Sequence, residues 1–108
     1  MLTQSTKQSI VSVITASVPT QSLYLFGSQT TGNANPESDI DLAVILKYSG
    51  FLSYMERIKT RIKLSKQLEK VKTQYEIDVI VYTEDEWNQI QPSGSAMTRA
   101  IKNGEKLA

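Results

Sequence analysis

Residues 23 to 46 read LYLFGSQTTGNANPESDIDLAVIL. Leu23, Tyr24, Leu25 and Phe26 favour a pleated, buried setting, so 22–26 is expected as a strand that stops at Gly27-Ser28. A short helical turn or loop is expected next, and Gly32, Asn33, Asn35 and Pro36 mark irregular backbone. DIDLAVIL then turns steadily apolar, which predicts a second strand in the middle of a sheet. Asp39 and Asp41 stand one residue apart at its head. Two carboxylates there repel each other, and burial makes the conflict worse. A cation would resolve it.

Side chains alternate along a strand, so Asp39 and Asp41 share one face while Ile40 takes the other. At about 3.3 Å rise per residue their Cα atoms lie roughly 6.6 Å apart, close enough to share one divalent ion or bracket two. In YEIDVIVY, residues 75 to 82, Asp78 stands between Ile77 and Val79 in the same strand-head setting. If the second and third strands are neighbours, Asp78 joins the pair. Three aspartates suit a hard cation such as Mg2+ and leave positions for water and phosphate. The plainer reading makes Asp39 a turn residue and Asp78 a solvent-facing strand residue. Gly27-Ser28 supplies the other wall. Glycine lets the backbone approach a ligand, the amides of a helix start favour phosphate, and the Ser28 hydroxyl adds a donor. Gly-Ser turns are common, so the dipeptide carries weight only beside the aspartates.

The remaining chain reads as alternating elements. Ile10, Val13 and Ile14 give 4–17 a helical spacing, closed by Pro19. The longest helix is expected over 52–72, with Met55, Ile58, Ile62 and Leu68 on one apolar face and Ser65 among them. Thr83 followed by Glu86 is a capping-box pattern opening a helix over 83–90, and a last helix is expected over 95–103. The order α-β-α-β-α-β-α describes a small α/β (α+β) domain, a mixed sheet flanked by helices. At 108 residues the expectation is one domain over 1–108 and no second module.

Composition narrows the chemistry. Hydrophobic residues make up 40% and charged residues 21%, an ordinary globular balance, and no apolar run is long enough for a membrane helix. The start, MLTQSTKQSI, lacks a secretory pattern, which fits a cytoplasmic protein. With no cysteine and no histidine, any catalysis must rest on carboxylates, hydroxyls or lysine. The net charge of +1 speaks against a nucleic-acid binder. Charge is nonetheless uneven. Residues 56–72 hold seven of the twelve basic residues, and 76–86 hold five acids and no base. Lys59, Lys63, Lys66 and Lys70 form one stripe beside the apolar face, either a solvated flank or a surface for an acidic partner or nucleic acid. Tyr82 and Trp87 read as core or rim packing rather than a base-stacking platform.

Gly27-Ser28, ten intervening residues, Asp39-Ile40-Asp41 and a later Asp78 resemble the nucleotidyltransferases of the DNA polymerase β superfamily. The chain is most similar to the minimal nucleotidyltransferases, small domains often encoded beside HEPN proteins as the antitoxin of a toxin–antitoxin pair. The likeness runs from about residue 10 to 108, ending in AIKNGEKLA. It implies the polymerase β-like fold and Mg2+-dependent transfer of a nucleoside monophosphate, most often AMP from ATP, to a hydroxyl. In the antitoxin members that hydroxyl is a tyrosine of the toxin. By this resemblance Asp39, Asp41 and Asp78 are catalytic and hold two Mg2+ ions, while Gly27 and Ser28 bind the nucleotide phosphates. A small-molecule or RNA-end acceptor stays open, as do a non-catalytic antitoxin and an oligomer. The loop Gln29-Thr30-Thr31-Gly32 lacks the family's usual basic residue, which would weaken the hold on the triphosphate or change the preferred nucleotide.

Overall fold

The computed structural model describes residues 2–27 and 40–108 of the chain. The helical turn expected after Gly27-Ser28 lies outside them. Four strands form one sheet in the order β3-β2-β1-β4. They are β1 (Thr20–Phe26), β2 (Ile40–Leu46), β3 (Ile77–Thr83) and β4 (Glu105–Lys106). β1 runs antiparallel to β2 and β4, and β2 runs parallel to β3, so the sheet is mixed as expected. The helices are α1 (Gln4–Ser17), α2 (Tyr54–Leu68), α3 (Glu84–Ile90) and α4 (Ala96–Lys102), with a 3-10 turn at Gln91–Ser93. Among the described residues, no helix is long and apolar enough to cross a membrane.

β2 lies inside the sheet, and every residue of it but Asp41 is buried. Its side chains alternate between two cores. Ile40, Leu42, Val44 and Leu46 face the first, with Leu23 and Leu25 of β1, Val79 and Val81 of β3, Ile10 and Ile14 of α1, and Leu64 and Leu68 of α2. Ala43 and Ile45 face the second, with Phe26, Trp87 of α3 and Ile101 of α4. Burying an isoleucine such as Ile10 or Ile14 contributes about 1.5–3 kcal/mol, so their helical spacing is what docks α1.

α2 departs from its sequence reading. Ser53 and Glu56 close a capping box at its start, which shortens the helix expected from residue 52. Its inward residues are Leu64 and Leu68, whereas Met55 and Ile62 are 56% and 51% exposed. Of the apolar face expected from Met55, Ile58, Ile62 and Leu68, only Leu68 is buried. The inward positions one and two turns before Leu64 are Arg61 and Arg57, and their work explains the reversal. Ile40 N–H donates to the Glu76 carbonyl, so by alternation the Val79 and Val81 carbonyls point off the open edge of β3. Arg57 Nη1 donates to Val81 O at 2.6 Å and Arg61 Nε to Val79 O at 3.0 Å. Arginine occupies the inner face there because it meets backbone acceptors, and it thereby closes an edge that would otherwise invite another strand.

β4 was not expected from the sequence. Tyr24 and Leu25 pair with Lys106 and Glu105, and Leu107 N–H donates to Leu23 O at 2.7 Å. Gly104 turns the chain into this pairing. A Cβ there would lie 2.9 Å from Phe26 Cβ, too close for any other residue without a shift.

Candidate active site

The strand order brings Asp41 and Asp78 together. They are register partners in the parallel β2–β3 pair, so their Cα atoms lie one strand spacing apart, about 4.8 Å. Register partners share a face, and this face carries the second core rather than α1 and α2. Asp41 is half-buried and Asp78 exposed. Like charges directly opposite on neighbouring strands repel each other.

Gly27 completes the arrangement from β1. Phe26 is the register partner of Asp41, and Gly27 follows it with φ +85°, a left-handed conformation that favours glycine. A Cβ on Gly27 would overlap the Asp41 carboxylate and lie 3.3 Å from its Cγ. The Asp41 side chain therefore lies directly against bare backbone. Of the residues expected in the site, Gly27, Asp41 and Asp78 meet at one end of the sheet, while Ser28 and Asp39 lie outside the described residues. The loop Gln29-Thr30-Thr31 also lies outside them.

The donor set fits a hard cation. Two carboxylates in register on one face offer oxygen ligands from two rigid strands, and the close approach permitted by Gly27 leaves its backbone beside them. Behind them the face is packed shut. Trp87 is 6% exposed and its ring lies 6.0 Å from that of Tyr24 and 6.1 Å from that of Tyr82. The packing reading of Trp87 and Tyr82 holds. A cleft of about 430 Å³ borders Asp78, between Tyr75 and Glu76 and the end of α2 at Leu68 and Glu69.

The sequence reading missed the cluster at the opposite end of β2 and β3. Glu86 is 6% exposed, forms an ion pair with Arg57, and accepts from Thr83 N–H at 2.9 Å and Leu52 N–H at 3.1 Å. Asp85 accepts from Gly50 N–H at 2.6 Å, and the Thr83 hydroxyl donates to Gly50 O at 2.6 Å. Burial pushes the Glu86 carboxyl up, but the Arg57 guanidinium and the Thr83 and Leu52 amides together hold it below its ordinary value of 4.5. The Glu86 carboxylate in turn raises the Arg57 guanidinium. The capping box was legible as Thr83-x-x-Glu86, but nothing local signals that Arg57, 29 residues earlier, closes on it.

Residues 8–104 match the family described as Polymerase beta, Nucleotidyltransferase. No curated protein matches the chain. Among solved structures, the chain is similar to a toxin–antitoxin crystal structure with AMP-PNP, at 24% identity and a TM-score of 0.58, over 94% of this chain and 72% of that one. It is also similar to a chain of the toxin–antitoxin MntA-HepT structure, at 21% identity and TM-score 0.53, over 98% and 72%. A third relative comes from a tri-AMPylated Shewanella oneidensis HEPN toxin in complex with MNT antitoxin, at 22% identity and TM-score 0.53, over 97% and 71%. These likenesses carry the fold, and the family match covers most of the chain. A mixed sheet with Gly27 at the end of one strand and Asp41 beside Asp78 on the next two is the polymerase β-like nucleotidyltransferase fold, and the chain belongs to the polymerase β nucleotidyltransferase family.

Proposed function

We propose that the chain, as one nucleotidyltransferase domain over 1–108, moves AMP from ATP onto a hydroxyl of a HEPN-type toxin encoded beside it, acting as its antitoxin in the cytoplasm. The observation that carries this reading is the register of Asp41 and Asp78 on one face next to Gly27. The AMP-PNP complex and the AMPylated HEPN toxin among the structural relatives support the choice of nucleotide and acceptor.

Asp39, Asp41 and Asp78 would hold the Mg2+ ions. Bound there, Mg2+ would neutralise charge on the triphosphate and leave the α-phosphorus more open to attack. Gly27 brings its backbone within reach of the β- and γ-phosphates, and Ser28 offers a hydroxyl donor to them. Asp78 is the more exposed of the pair, so it would be the one open to the acceptor and would take the proton of its hydroxyl. The acceptor oxygen then forms its bond to the α-phosphorus as the bond to the β-phosphate oxygen breaks, and pyrophosphate leaves. The exposed setting of Asp78 suits this role, since its proton can pass on to solvent.

The test is incubation of the purified chain and the neighbouring HEPN protein with Mg2+ and ATP labelled on the α-phosphate. Label on the HEPN protein and on no other protein supports the reading. Label absent with every nucleotide would turn the chain into an antitoxin that acts by covering alone, and label on an RNA end or a small molecule would replace the acceptor.

A further inference from the structure

α2 carries a second apolar stripe on the side turned away from the sheet. Met55, Ile58 and Ile62 follow one another at i, i+3 and i+7, and Met55 and Ile62 are more than half exposed. Ile62 forms a ridge between two grooves. One, of about 370 Å³, runs past Ile58, Ser65 and Glu69, and the other, of about 350 Å³, past Lys59, Lys63 and Lys66. A ridge flanked by grooves is the surface one helix offers another. Lys59, Lys63 and Lys66 border the stripe along one side, and among the described residues none of them pairs with a carboxylate.

We infer that this face docks an amphipathic helix of a second protein, apolar along its contact stripe and acidic along the flank that meets Lys59, Lys63 and Lys66. The inference rests on the toxin-partner reading for the identity of that protein. Charge selects the occupant. α2 presents Lys59, Lys63 and Lys66 along this face, so two copies packed through it would bring like charge together. Nucleic acid would engage the lysines but leave Met55, Ile58 and Ile62 without apolar contact. An acid-flanked helix satisfies both halves of the surface. α2 covers the first core, whereas Asp41 and Asp78 face the second; the Ser65 and Glu69 end of the surface adjoins the cleft beside Asp78, but Met55, Ile62 and the three lysines do not line that cleft. Docking and transfer are therefore separable.

The test titrates the purified HEPN protein from the adjoining reading frame into the full chain. Parent, Ile62→Asp and the triple variant Lys59→Glu, Lys63→Glu, Lys66→Glu are compared by calorimetry, and hydrogen exchange of Tyr54–Leu68 is followed in the parent. Both variants are expected to bind at least tenfold more weakly, and the partner is expected to protect α2 amides. Ile62 is exposed, so Ile62→Asp keeps the parent's melting curve and a loss of binding is not a loss of fold. Parent-like affinity in both variants with no protection of α2 overturns the inference. So does a dimer of the parent alone that Ile62→Asp splits, or binding of an RNA oligomer that the lysine variant loses and Ile62→Asp keeps. AMP transfer with unchanged affinity in both variants would keep the enzyme and remove the docking face. Docking through α2 without transfer would do the reverse, and no complex with the parent would remove both.

Discussion

At the C-terminal end of β3, the carboxylate of Glu86 is buried against Arg57, two backbone amides and the first turn of α3. At the N-terminal ends of β2 and β3, Asp41 and Asp78 stand in register on one face, beside Gly27, where a Cβ would run into the Asp41 side chain. The first end answers its negative charge with donors of its own chain, and the result ties the loop before α2 to the start of α3. The second end sets two like charges side by side, where each raises the cost of the other. A carboxylate placed for stability is matched by the fold. Two carboxylates in register on one face are an arrangement that a hard cation could bridge.

The comparison breaks most visibly at the aspartates. Asp41→Asn and Asp78→Asn are each expected to reduce AMP transfer by on the order of 10²–10³-fold or more, read as the mass shift of the partner. Their denaturation midpoints should equal or slightly exceed the parent's, because each removes one of two repelling charges. A large loss of stability in either would place these residues with Glu86, as structural groups. Arg57→Ala tests the other end. It leaves Glu86 buried without its cation and uncovers the Val81 carbonyl, and is expected to cost about 2–3 kcal/mol in chemical denaturation. Transfer per folded molecule should stay near the parent's.

Gly27→Ala belongs to both quantities at once. Its positive φ and the overlap with Asp41 are expected to cost about 1–2 kcal/mol and to lower transfer by displacing that carboxylate. Ser53→Ala removes the hydroxyl that caps α2 and should cost about 1 kcal/mol with no effect on transfer. The smallest effect is the pH dependence of the braced end. The folded Glu86 carboxyl titrates below its ordinary value of 4.5, so its contribution is complete above about that pH and is lost as pH falls through the lower folded value. Glu86→Gln should flatten the acid limb of a stability-against-pH curve. An unchanged limb would show that Glu86 is not held as a carboxylate.

The sequence made one end of the molecule readable and hid most of the other. Period-two alternation placed Asp41 on a defined face of β2, and the strand-head position of Asp78 was visible in YEIDVIVY. Their register was not visible, since strand order depends on contacts between distant residues. The inner face of α2 was misread because Met55, Ile58 and Ile62 carry the stronger apolar spacing. Leu64 and Leu68 share the inward side with arginines that serve the edge of β3. β4 escaped because a two-residue strand of Glu105 and Lys106 has no apolar alternation, and Gly104 alone marked the close approach that makes it. The Thr83 capping box was legible, while its link to Arg57 was a tertiary fact.

The contrast between the two ends meets its most direct test in the melting-temperature shift produced by Mg2+ with AMP-PNP, measured without any partner. The parent and Arg57→Ala are expected to melt at different temperatures but to rise by the same increment on adding Mg2+ and nucleotide. Asp41→Asn should melt at or above the parent and gain almost nothing, and Asp78→Asn should keep most of the increment while losing transfer. Without Mg2+ the nucleotide alone should shift the parent little. If Asp41→Asn gains the full increment, or if Arg57→Ala loses it, the assignment of one end to the ligand and the other to the fold is contradicted.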